Sequence, residues 1–97
     1  MTEPEYQAKL IKKLTSMFPG CIVQKEDSLY IQGIPDLLIL YNNKWATLEV
    51  KIDEQADHQP NQDYYVGKMN TMSFSRFIFP ENEKDVLNEL TLFFNGG

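Results

Sequence analysis

The stretch GIPDLLILYNNKWATLEVK, Gly33 to Lys51, decides how this chain folds. Two largely apolar runs flank Asn42-Asn43. Asn tolerates positive φ better than other non-glycine residues, so Asn42-Asn43 suits a two-residue hairpin turn. The pattern predicts one strand over Asp36–Tyr41 and another over Trp45–Ile52. Counting outward from that turn, Tyr41 faces Lys44 and Asp36 faces Glu49. Directly opposed residues share a face and hold their Cβ atoms ~5 Å apart. Period-two alternation adds Lys51 to that face, together with Leu38, Leu40, Trp45 and Thr47.

Charged groups are poor strand residues and costly to bury without partners. Two carboxylates ~5 Å apart also repel, so a hairpin gains nothing from Asp36 and Glu49 alone. A divalent cation resolves the conflict, because two carboxylates with water and phosphate completing the shell describe a Mg²⁺ site. An ammonium beside it can position a water or stabilise charge developing on a phosphoryl group. The residues alone leave a plainer reading open. Asp36 follows Pro35 as turn residues often do, and Glu49 and Lys51 could line the solvent side of an edge strand. That alternative requires Trp45 and Thr47 to be exposed as well, which suits Trp45 poorly.

Upstream of the hairpin, Thr2-Glu3-Pro4-Glu5 has the form of a capping box, with Thr2 as N-cap and Glu5 at the third helical position. A helix is expected to about Phe18, with Tyr6, Leu10, Ile11, Leu14 and Phe18 on one stripe. Pro19-Gly20 ends it. Cys21–Lys25 is a short strand candidate, and Glu26–Gln32 either extends it or forms a loop. Downstream, Asp53–Gln59 is polar and loop-like. Pro60 suits the first turn of a helix over Asn61 to about Met69 or Met72, despite Gly67. Ser73–Phe79 reads as a fourth strand, stopped by Pro80, and Glu83–Phe94 as a last helix with Val86, Leu87, Leu90, Phe93 and Phe94 inward. The expected fold class is α/β with a mixed sheet, in the order αβββαβα, as a single domain over residues 1–97.

Composition bounds the function classes. The 97 residues, 42% hydrophobic and 24% charged, fit one soluble globular domain with a single core. No apolar run approaches the ~20 residues a membrane span needs, and the acidic start, Met1 to Glu5, is unlike a signal peptide. Cys21 is the only cysteine, which excludes an internal disulfide or a thiolate zinc site and fits a reducing cytoplasm. A net charge of −5 argues against coating nucleic acid through bulk positive charge. Local contacts remain open, because Lys9, Lys12 and Lys13 cluster, and a bound cation reverses the sign of an acidic site.

The series Gly33-Ile34-Pro35-Asp36, an apolar run, then Glu49-Val50-Lys51 resembles the PD-(D/E)XK nuclease superfamily. Gln59-Pro60-Asn61-Gln62-Asp63-Tyr64-Tyr65 is similar to the Ser-Pro-x-Gln-x-x-Trp/Tyr element that opens the following helix in its VRR-NUC family. The resemblance covers roughly Glu5 to Phe79 and implies a restriction-endonuclease-like αβββαβ core. It also implies an endonuclease that cuts DNA phosphodiester bonds with Mg²⁺ or Mn²⁺, leaving 5′-phosphate and 3′-hydroxyl ends. Asp36 and Glu49 would bind metal, with the Val50 backbone carbonyl as a further ligand. Lys51 would orient or help deprotonate the attacking water, and Gln62 would hold a phosphate or the lysine. Glu5 would match the first-helix acid that some members add to the metal site. The smallest members resemble phage and bacterial junction or flap nucleases that act as homodimers, so branched DNA and a second copy are the implied partners. Gln59 departs from the usual Ser, and the Asn42-Asn43 turn is compact, which bears on substrate choice.

Each residue also has a bland role. Gln62 could simply be solvated in a first helical turn, and Glu5 is fully explained by the capping box. Lys9, Lys12 and Lys13 fit the wet face of an amphipathic helix as well as a phosphate-contacting patch. Tyr65, beside Tyr64, could stack on a base or join the core. His58 stands alone in a loop and is not expected to ligate metal. The competing function is a non-catalytic module that keeps the fold and acts as a small partner or inhibitor protein.

Overall fold

A computed structural model describes residues 1–96. It contains α1 (Glu3–Met17), β1 (Ile22–Lys25), β2 (Leu37–Tyr41), β3 (Lys44–Val50), α2 (Gln62–Met72), β4 (Phe74–Ile78) and α3 (Glu83–Asn95). The fold is α/β with a mixed sheet, and the element order is the one the sequence predicts. In sheet order β1-β2-β3-β4, the first three strands are antiparallel and β4 runs parallel to β3, with α2 as the crossover.

The hairpin register is the expected one, from Tyr41 opposite Lys44 to Leu37 opposite Leu48. Asn42 takes φ 56° at the turn, while Asn43 does not enter the left-handed region. Alternation then divides the side chains between two faces. Leu37, Ile39, Ala46, Leu48, Val50, Phe74 and Ile78 point to one side, against Tyr6, Leu10 and Leu14 of α1 and Val86, Leu87, Leu90 and Phe94 of α3. Phe18, Tyr41 and Phe94 close one end of this core with tilted and edge-on ring contacts. Tyr6 and Lys13 both reach Glu83, at 2.7 and 2.6 Å, and tie α1 to α3.

On the other face, α2 packs against β4 and β3. Thr47 and Ser75 are buried there and satisfy each other through a 2.7 Å hydrogen bond. The β1–β2 half carries Ile22, Leu38 and Leu40 on this face, with Ile22 and Leu40 exposed. A groove of about 410 Å³ remains, lined mainly by Leu38, Leu40, Trp45, Met69 and Met72. Among the described residues, no helix is long and apolar enough to cross a membrane.

Element ends differ from the sequence expectation by a residue or two. The N-cap Thr2 and Glu5 form the predicted reciprocal capping box. Asp36 falls just outside β2, because its side chain, rather than its backbone, meets β3. β3 begins at Lys44 and ends at Val50, and α2 begins at Gln62, after Asn61 turns the chain with φ 77°. Glu26–Gln32 is a loop, not an extension of β1, and it leaves Leu29 and Tyr30 exposed.

Candidate active site

The edge-strand reading of the charged residues fails on topology. β3 lies between β2 and β4, and Thr47, Glu49 and Lys51 are only 1%, 2% and 6% exposed. Two charged side chains are therefore buried at the end of a central strand, where each needs a partner.

Asp36 reaches the site from the segment preceding β2. Its Oδ2 accepts a 2.9 Å hydrogen bond from the Val50 N–H, extending the β2–β3 pairing by one side-chain contact. The Gly33-Ile34-Pro35 lead-in is sterically specified. Gly33 adopts φ +89°, and a Cβ there would lie 2.5 Å from the Asn61 Cβ. Only glycine lets this segment pack so closely against the turn that opens α2.

Glu49 is the most unusual group. Its Oε2 accepts from Gln62 Nε2 at 3.1 Å, while its Oε1 is buried with no hydrogen-bond partner. Burial, then the neighbouring charge of Asp36 and a proton shared with its carboxylate, push the Glu49 carboxyl up to about 9, against the opposing pull of Lys51. Two carboxyl groups that must share a proton are the arrangement a cation would complete. Val50 turns its side chain into the opposite core, so only its backbone is available here. No group of three or more His, Cys, Asp or Glu side chains among the described residues is arranged to hold a metal. Mg²⁺ needs only one or two protein carboxylates when water and phosphate supply the rest, so this pair is a sufficient donor set.

Lys51 Nζ donates to Gln62 Oε1 at 2.8 Å and to the Asp57 carbonyl at 3.0 Å. An ammonium has three donors, so one remains. Among the described residues no carboxylate forms an ion pair with it. Gln62 thus bridges the buried acid and the buried lysine from the first residue of α2. Gln59 N–H also donates to Gln62 Oε1, at 2.7 Å.

The first-helix acid beside this site is Glu3 rather than Glu5. Glu5 is exposed, with its carboxylate taken by Thr2 N–H at 2.8 Å. Glu3 accepts from Ile52 N–H at 3.2 Å, and its charge adds to the upward push on Glu49. The capping box carried the signal: it commits Glu5 and leaves Glu3 free. Lys9, Lys12 and Lys13 are exposed, and none makes a hydrogen bond or ion pair with Asp36, Glu49, Lys51 or Gln62. Lys13 is committed to Glu83. Tyr65 is half-buried, edge-on to the exposed Tyr64 with ring centroids 5.0 Å apart.

Comparisons with protein-family models, with characterised proteins and with solved structures find no match. The chemistry therefore rests on the geometry of this chain.

Proposed function

We propose that the chain is a metal-dependent endonuclease that hydrolyses DNA phosphodiester bonds, in the manner of the VRR-NUC nucleases it resembles. One observation carries the reading: the buried Oε1 of Glu49, which has only the Asp36 carboxyl to share a proton with, and the buried Lys51 ammonium on the same network. A site kept only for packing has no reason to bury an acid and a lysine so close together beside a second, half-buried acid.

Asp36 and Glu49, with the Val50 carbonyl, would hold Mg²⁺ or Mn²⁺. A bound cation of this kind supplies Lewis-acid polarisation of a phosphoryl oxygen and acidifies a nearby water. Lys51 uses its remaining N–H to orient the attacking water and to offset charge gathering on the phosphate. Gln62 keeps that ammonium and the Glu49 carboxylate at a fixed separation, so neither has to reorganise during reaction. Glu3, whose charge is felt at Glu49, would add a further acidic contact to such a site.

The proposed assembly is a homodimer acting in the reducing cytoplasm on branched DNA. The exposed β1–β2 face supports a self-interface. Ile22, Leu40 and Met72 are exposed there, and the loop at Leu29 and Tyr30 adds two large apolar side chains that are 95% and 86% exposed. The groove lining includes one acid, Glu26, and no base, which suits neither polyanionic DNA nor an anionic membrane. For a chain of net charge −5, a surface with a single acid is where a second copy meets little repulsion.

The direct test incubates the protein with plasmid, single strand, nicked duplex, flap and four-way junction in Mg²⁺ and in Mn²⁺. Cleavage of at least one form is expected, falling on the order of 10²-fold or more in Asp36→Ala and in Lys51→Ala. No cleavage of any form, or an Asp36→Ala variant as active as wild type, overturns the proposal.

A further inference from the structure

The Lys51–Gln62 pair is held by a segment with no regular structure of its own. The Asp57 carbonyl accepts from Lys51 Nζ, and the Gln59 N–H donates to Gln62 Oε1. Both groups are backbone, and residues 57–59 lie outside every helix and strand. A backbone contact can position a side chain only if something fixes the backbone.

The residue between the two contacts supplies that anchor. The His58 ring lies nearly flat on Phe77, with centroids 4.1 Å apart and planes 11° from parallel. Its Nδ1 is 2.8 Å from Asp63 Oδ1, in the first turn of α2. Phe77 is the register partner of Glu49 across the parallel β3–β4 pair, so the two share the α2 face of the sheet. One ring thus ties the segment to the strand beside Glu49 and to the helix that carries Gln62.

We propose that His58 is a positioning residue for the Lys51 ammonium, acting through its stack on Phe77. Its catalytic consequence rests on the nuclease reading above; the positioning itself does not. The stack is the main anchor, because the Asp63 side chain is 72% exposed and the contact between the two is screened by solvent. Aromatic packing against a strand keeps its strength in salt.

The experiment follows the Lys51 ammonium by proton–nitrogen NMR in the full chain labelled at lysine, with Lys51→Ala assigning the signal. Thermal melts check that each variant is folded. His58→Ala should speed exchange of the ammonium protons with water on the order of tenfold, as local opening becomes easier. His58→Phe keeps the stack and Asp63→Asn keeps the ring, so both should stay close to wild type. Exchange unchanged in His58→Ala overturns the proposal, and so does His58→Phe exchanging as fast as His58→Ala. In the cleavage assay, kcat should fall on the order of tenfold in His58→Ala at unchanged KM and recover in His58→Phe. If the exchange pattern holds while wild type cuts no DNA, the positioning role stands and the nuclease reading fails.

Discussion

Replacing Glu49 with Gln should stabilise the metal-free protein, and by more as the pH rises. The Glu49 carboxyl is raised from an ordinary 4.5 to about 9 by burial and by Asp36. A raised carboxyl means that the folded chain keeps a proton the unfolded chain gives up. Folding stability is therefore unaffected below about pH 4.5 and declines as the pH climbs through the window to 9. One pKa unit is about 1.4 kcal/mol, so at pH 8 the ceiling on this loss is about 5 kcal/mol. Rearrangement around the pair takes up part of it, and a gain of about 2 kcal/mol at pH 8 is expected for the variant. The amide can still accept from Gln62 and can donate to Asp36, so no new unsatisfied group is created. In a domain of this size that gain is about 10 °C in Tm. The assay is thermal and urea unfolding of both proteins in chelator at pH 5 and pH 8. A large gain at pH 8 that nearly vanishes at pH 5 supports the reasoning. A variant destabilised equally at both pH values refutes it.

Other perturbations separate the parts of the site. Thr2→Ala removes the N-cap acceptor of α1 and should cost about 1 kcal/mol in urea unfolding. Glu5→Ala should leave Mn²⁺ affinity unchanged in a calorimetric titration, while Glu3→Ala weakens it severalfold. Gly33→Ala places a Cβ against Asn61 at a positive φ and should cost about 2 kcal/mol or more, read by the same unfolding assay. Leu29→Asp and Tyr30→Asp alter side chains too exposed to disturb the fold, so sedimentation should show the proposed dimer giving way to monomer with Tm measured at low concentration unchanged. A wild-type chain that stays monomeric at high concentration would remove the self-interface.

Most of the architecture could be read in the sequence because its strongest signals are local. Asn42-Asn43 sets the hairpin register, the capping box starts α1, and Pro19-Gly20 stops it. From that register the Asp36–Glu49 juxtaposition follows by counting, whereas Gln62 is singled out only by the resemblance of Gln59–Tyr65 to the VRR-NUC helix-opening element. What could not be read depends on contacts between distant segments. Glu3 reaches Ile52, and His58 finds Phe77, only after α1 and β4 are packed on the sheet. Lys13 resembles a free cation in a helical pattern until α3 brings Glu83 to it. The loop at Glu26–Gln32 is hard to read for the opposite reason: Leu29-Tyr30-Ile31 has strand-like composition, but Leu29 and Tyr30 stay exposed among the described residues.

The proposed activity requires Asp36 and Glu49 to be two halves of one cation site, and Mn²⁺ titration by calorimetry tests this most directly. One ion per chain should bind to wild type, with binding lost in Asp36→Asn and in Glu49→Gln while both variants stay folded. No binding to wild type, or equal binding in Glu49→Gln, would contradict it.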